Sequence, residues 1–224
     1  MRYLHKIVFI NSAAIRYSEV QLDGNIHLIG TQGVGKSTIL RAILFFYNAD
    51  TQRLGIPVEK KSYQDYYFPY ADSSIIYEVA REDGWFTVLS YKTMNRICYR
   101  FIASPYRPDL FIDEEGAPYP SDRIRSVLDK NGIKYSGAIS TYEEYRNILY
   151  GNSDNKRDYS CYSLMESGSY QNIIRTIQNV LLNSRLEADY IKQTIITSLN
   201  EADSVIDLSR YRSHLSGFEA QLND

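Results

Sequence analysis

The alternation of apolar and polar positions divides the chain into a β-rich first part and a helical second part. Tyr3 to Asn11 is rich in β-branched and aromatic residues, and Ser18 to Leu22 alternates before a turn at Asp23-Gly24, which predicts two paired strands. Asn25 to Ile29 is a further apolar run, read as a strand. The segment from Lys36 to about Asn48 keeps Ile39 and Ile43, and Leu40 and Leu44, at i, i+4 spacing, which predicts a helix with one inward side. Ala49 to Ser73 loses this periodicity. Gly55, Pro57, Pro69 and the polar run EKKSYQDYY predict a long loop with one helical turn, and a loop of that length inside a compact domain is usually functional.

Three β-type segments follow, Ser74 to Arg81, Trp85 to Lys92 and Arg96 to Ala103, with Glu82-Asp83-Gly84 and Thr93-Met94-Asn95 between them. Such short polar connections predict an antiparallel meander. Asp109 to Asp113 reads as an edge strand, because prolines 105, 108, 118 and 120 bracket it. Ser121 is the expected N-cap of a helix that closes near Gly132. Thr141, with Glu144 three residues on, starts another that stops at Gly151. Tyr159 to Met165 is a candidate last strand, and Tyr170 to about Asn200 a long helix. Leu208, Tyr211, Leu215, Phe218 and Leu222 then fall on the a and d positions of a heptad. That seam reaches Asp224 without a capping signal, so the expected division is a head over residues 1–200 and the start of a coiled-coil arm over 201–224, continuing elsewhere. An amphipathic helix packed on its own domain is the alternative.

One stretch carries chemistry that can be named. HLIGTQGVGKST places Gly30-x-x-x-x-Gly35-Lys36-Ser37 between an apolar run and a helix, the context of a phosphate-binding P-loop. Its glycines let successive N–H groups converge on one phosphate, and the helix N-terminus adds the positive end of its dipole. Gly30, Thr31, Gln32, Gly33, Val34, Gly35, Lys36, Ser37 and Thr38 are the candidate nucleotide-binding residues. Lys36 supplies a cation for the β and γ phosphates, and the Ser37 hydroxyl a ligand for Mg²⁺. The expected cofactors are ATP and Mg²⁺, although contacts to phosphate do not select a base.

Composition adds little except in one residue type. Net charge is −2, so any nucleic-acid contact has to come from a local patch. Arg53, Lys60 and Lys61, in the loop after the P-loop helix, are candidates for contact with nucleotide or DNA. Further basic clusters stand at Arg96, Arg100, Arg123 and Arg125. Cys98 and Cys161 make no metal or redox motif. The first residues do not read as a signal peptide and no apolar run has the length of a membrane span, so the expected location is cytoplasmic, with no membrane partner. The 21 tyrosines are unusual. They read either as half-buried sheet residues or as a recognition surface.

Hydrolysis needs a carboxylate at the end of a buried parallel strand and a group to orient water. Leu110-Phe111-Ile112-Asp113-Glu114 has the form of that motif, with Glu114 as the base. Its prolines and the turn after it instead suit a sheet edge, where such a motif does not sit. The chain therefore reads as the phosphate half of an ATPase site without its catalytic half.

This layout, VQLDGNIHLIGTQGVGKSTILRAILFFY followed by YQDYYFPYADSSIIYEV and terminal helices, resembles the N-terminal lobe of an SMC-type ABC ATPase head. It is most similar to the bacterial condensin-like branch that includes MukB, MksB and the SMC-like subunit of the Wadjet plasmid-defence system. The resemblance implies an α/β P-loop NTPase fold, an ABC-ATPase-like N-lobe with an antiparallel β-meander and C-terminal helices leading into a coiled coil. It implies a C-terminal lobe that supplies the missing motifs, a second head dimerised through ATP, DNA as substrate, and kleisin-like accessory subunits. Arg53 falls where such heads keep a DNA-sensing arginine, and Glu166 or Gln171 near the Q-loop position. Two other readings stand beside it: a self-contained P-loop NTPase or kinase using Asp113 and Glu114, and a non-hydrolysing DNA-binding or interaction module.

Overall fold

The computed structural model describes residues 2–164, apart from 25, 49, 50, 52, 53, 55, 57–59, 95 and 152–158. Arg53, Glu166, Gln171, the long helix expected from Tyr170, the heptad seam and the boundary near residue 200 lie outside the described residues.

Strands β1 (Tyr3–Ser12), β2 (Ile15–Gln21), β3 (Ser74–Arg81), β4 (Gly84–Thr93) and β5 (Arg96–Ile102) form one sheet in the order β2-β1-β3-β4-β5, and every pairing is antiparallel. The hairpins fix the register: Arg81 faces Gly84 across one turn, and Thr93 faces Arg96 across the next. The outer edge of β5 is covered by the chain at 134–139, which exchanges backbone hydrogen bonds of 2.8 and 2.9 Å between Tyr99 and Ile139.

Period-2 alternation gives this sheet two apolar faces. Ile7 and Phe9, Ile75, Tyr77 and Val79, Phe86 and Val88, and Tyr99 and Phe101 face one cluster. Val8 and Ile10, Ile76, Leu89 and Ile102 face the other. Helix α1 (Lys36–Asn48) covers the first face with Ala42, Phe45 and Phe46, joined by α2 (Tyr63–Tyr67) and α4 (Tyr142–Leu149). Helix α3 (Ser121–Lys130) covers the second face with Ile124 and Leu128, beside Leu110 and Phe111.

The buried residues explain the tyrosine content. Four tyrosine hydroxyls donate to carbonyls of α1: Tyr67 to Thr38 at 2.7 Å, Tyr77 to Ala42 at 3.1 Å, Tyr145 to Phe46 at 2.7 Å and Tyr150 to Tyr47 at 2.6 Å. The acceptors at 38, 42 and 46 are four residues apart, so they lie along one stripe of the helix. Phe46 and Tyr47 belong to the last turn, whose carbonyls have no intrahelical partner, and Tyr145 and Tyr150 supply the missing donors. The rings pack into the core at the same time, Phe45 on Tyr63 at 4.3 Å and Tyr99 on Tyr145 at 4.3 Å.

Several expected elements differ. The sequence 26–31 carries no strand, and Ile29 is 91% exposed; among the described residues the sheet offers no parallel neighbour to receive it. Asp109 to Asp113 is not an edge strand. It is a single 3₁₀ turn, Pro108–Leu110, followed by one bridge between Ile112 and Pro118, since proline removes the donors a ladder needs. The expected strand from Tyr159 is likewise a 3₁₀ turn, Ser160–Tyr162. Pro120, not Ser121, is the N-cap of α3, whereas Thr141 caps α4 as expected, accepting from the Glu144 N–H at 3.3 Å. The inward side of α1 keeps Leu44 as expected but also takes in Ala42, Phe45 and Phe46, with Ile39 and Ile43 only partly covered.

Two outcomes follow from the tyrosine stripe. Burial pushes the Tyr63, Tyr77 and Tyr145 hydroxyls far above the ordinary value of 10.0. The folded state therefore keeps protons that the unfolded chain releases, so stability is unchanged by these groups below pH 10.0 and falls as pH rises beyond it. Circular dichroism and tyrosinate absorbance should change together in one cooperative alkaline transition. Tyr145→Phe leaves the Phe46 carbonyl buried without its donor and should cost about 1–3 kcal/mol in urea unfolding.

Candidate functional site

The loop from Gly30 to Gly35 turns through positive φ at Gly33 (90°) and Gly35 (95°), a conformation that side chains rarely adopt. It delivers the chain into α1, whose regular bonding starts with the Ile39 N–H donating to Gly35 at 3.1 Å. The N–H groups of Lys36, Ser37 and Thr38 thus belong to the opening turn, which has no intrahelical acceptors. The Lys36 ammonium folds back on the loop, donating to the Gly30 carbonyl and to that of Thr31 at 2.7 Å. This holds a positive charge over the ring of backbone donors.

Beside the loop lies a cavity of about 700 Å³. One side is the loop and first turn: Gln32, Gly33, Gly35, Lys36, Ser37 and Thr38. The facing side is the segment after α1, with Lys60 and Lys61, together with Tyr66 and Tyr67 of α2. Arg41 and Ile56 complete it. Four of these lining residues are cationic and none is acidic. The structure therefore brings Lys60 and Lys61 to the same cavity as the glycine-rich loop.

Local bonding explains why α2 stands there. Ser62 caps it, accepting from the Asp65 N–H at 3.1 Å. Asp65 pairs with Lys92 of β4 at 3.2 Å, and the Ser62 hydroxyl followed by Lys92 holds its carboxyl below the usual range. Tyr67 is buried and tied to the Thr38 carbonyl, while Tyr66 is 38% exposed with its hydroxyl 3.4 Å from the Thr38 hydroxyl. Sequence reasoning missed Arg41, Tyr66 and Tyr67. The first had a signal, being one turn beyond Ser37 on α1; the tyrosines had none, because nothing local says where YQDYY folds back.

The donor set suits a phosphate chain with its metal. Backbone amides and the lining cations are groups that would meet anionic oxygens, and the Ser37 hydroxyl would offer one ligand to Mg²⁺, which keeps most of its waters. No carboxylate among the described lining residues completes the metal shell.

Asp113 and Glu114 are placed elsewhere. They follow Phe111 and Ile112, which pack on the sheet face opposite α1, so the sheet separates them from Lys36. Asp113 is committed to a turn, its Oδ1 accepting from the Glu115 N–H at 3.0 Å and the Ala117 N–H at 2.7 Å. Arg100 is 4% exposed between the rings of Tyr91 and Tyr135, at 5.7 and 5.5 Å, and offers no charge to a DNA surface. Arg123 lies over Tyr119 at 4.4 Å. Among the described residues no cluster of three or more His, Cys, Asp or Glu could hold a metal, and no helix is long and apolar enough to cross a membrane.

These features define a domain that presents a glycine-rich loop, at a helix N-terminus, to a cationic cavity. Residues 12–216 match the model of the family described as protein of unknown function (DUF3584), and the chain belongs to that family. A search of curated proteins found no match.

The Asp113 geometry has a direct test. Asp113→Ala should remove two turn hydrogen bonds and lower stability by about 1–2 kcal/mol, read by urea unfolding.

Proposed function

We propose that this chain is the ATP·Mg²⁺-binding half of an SMC-like head ATPase acting on DNA, of the condensin-like MukB, MksB and Wadjet kind. The observation that carries the reading is the cavity itself: a P-loop and helix N-terminus faced by Lys36, Arg41, Lys60 and Lys61, with no acidic lining residue. In a chain whose net charge is −2, four cations gathered around one glycine-rich loop favour a polyanion at that place. The association of the family with RecF/RecN/SMC-like proteins supports the same reading.

In this reading the loop amides and Lys36 hold the β and γ phosphates, and Ser37 carries Mg²⁺. The carboxylate and the water-orienting group come from a C-terminal lobe, and hydrolysis awaits dimerisation with a second head through ATP. The exposed apolar approach to the loop, with Ile26 at 40% and Ile29 at 91% exposure, suits the edge at which that lobe would add neighbouring strands. DNA and kleisin-like subunits are the further partners of the complete head, and the cytoplasm its place of action. The self-contained alternative is disfavoured by the sheet between Asp113 and Lys36.

The test is binding and turnover by the 224-residue chain, with and without a C-lobe. ATP·Mg²⁺ should bind, Lys36→Ala should weaken binding by about 10- to 100-fold through loss of a charge-assisted contact, and hydrolysis should be negligible until the C-lobe is added. Steady turnover by the chain alone, abolished by Lys36→Ala and by Glu114→Gln, would overturn the half-site.

A further inference from the structure

The cavity is lined by two chemical kinds of group, and only one of them is explained by phosphate. The loop and first turn with Lys36, Arg41, Lys60 and Lys61 suit phosphate. Beside Thr38, whose hydroxyl is 3.4 Å from its own, stands the partly exposed ring of Tyr66, and Ile56 belongs to the same lining. Thr38 and Arg41 are three residues apart on α1, so they share a side of the helix, and that side faces α2. A phosphate chain anchored over the loop and first turn therefore leads whatever it carries towards Tyr66 and Ile56.

Tyr66 is held in place for a reason that its own packing does not supply. Its neighbour Tyr67 is 1% exposed and fixed to the Thr38 carbonyl at 2.7 Å, and the two rings meet edge to face at 5.1 Å. The Asp65–Lys92 pair ties the same short helix to β4. The ring of Tyr66 is thus kept at the rim of the site, 38% exposed, with its hydroxyl 3.4 Å from that of Thr38. An aromatic face presented next to a phosphate cradle, with an apolar Ile56 in the same lining, is what a flat base uses: stacking on a ring is tolerant of base identity because every base has a π face.

We propose that Tyr66, with Ile56, forms the nucleoside subsite of the cavity and receives the base of a purine nucleoside triphosphate by stacking. The inference rests on the phosphate-site reading of Gly30 to Thr38 and adds the class of ligand that this reading leaves open. Purines present more stacking area than pyrimidines, so ATP and GTP bind with similar affinity and both bind more tightly than CTP or UTP.

The experiment compares ATP with inorganic tripolyphosphate, which keeps the phosphates and lacks the nucleoside, on the full 224-residue chain. Tyr66→Ala should weaken ATP by about 5- to 150-fold, the span of one base–aromatic stack, and leave tripolyphosphate affinity unchanged. Tyr66→Phe should retain ATP binding, because the ring and not the hydroxyl is used. Tyr66→Trp should also bind, and its fluorescence should be quenched by ATP but not by tripolyphosphate, with the wild-type protein and its single Trp85 as the background. Equal losses for both ligands in Tyr66→Ala, or no loss for either, overturn the subsite while leaving the phosphate site standing. A wild-type chain that binds neither ligand overturns the phosphate-site reading and this inference with it.

Discussion

The placement of α1 on the sheet is the constraint on which the candidate site depends, and tyrosine hydroxyls set it. Apolar packing alone is non-directional and lets a helix slide or roll by small amounts. Four phenol donors aimed at the carbonyls of Thr38, Ala42, Phe46 and Tyr47 remove that freedom, because each bond has a preferred length and angle. Their sources are α2, β3 and α4, so three separate elements agree on one position for the helix. The glycine-rich loop inherits this precision, since it is the continuation of that helix at its N-terminal end.

The same stripe explains how much of the molecule could be read from sequence. The meander β3-β4-β5 and the P-loop helix were legible because their signals are local: alternation, short polar turns, i, i+4 apolar pairs, and a glycine spacing that has a mechanical reason. The two helices at Ser121 and Thr141 were legible for the same cause. The role of the tyrosines was not, because Tyr145 and Phe46 are 99 residues apart and nothing in either neighbourhood announces the other. A tyrosine in a strand or helix looks the same whether its hydroxyl meets water or a buried carbonyl. The excess of tyrosine was visible as a number; its cause is long-range.

The errors share a second cause. Asp109 to Asp113 and 26–31 both have apolar runs that suit strands, yet a strand exists only where a neighbour accepts its backbone bonds. In the first case prolines remove donors and the segment settles into a 3₁₀ turn held by the Asp113 carboxylate. In the second the described residues supply no adjacent strand, and the apolar side chains of Ile26 and Ile29 remain exposed. Local pattern reports the ability to pair; it carries no information on whether the partner lies in the same sequence.

That distinction bears on the site. A phosphate cradle is built from one chain segment, because the amides, the helix dipole and the lysine are contiguous, so its geometry is complete within the loop. A catalytic metal shell is built from strands that meet only when the sheet around the loop is complete. Here the carboxylates nearest in sequence pattern, Asp113 and Glu114, stand across a fully packed sheet, and Asp113 is already used by the backbone of its own turn. The cavity meanwhile has four cationic side chains and no acidic one among its described lining residues. Cations gathered beside a helix N-terminus favour an anion there, and this is the physical ground on which the proposed polyanion rests.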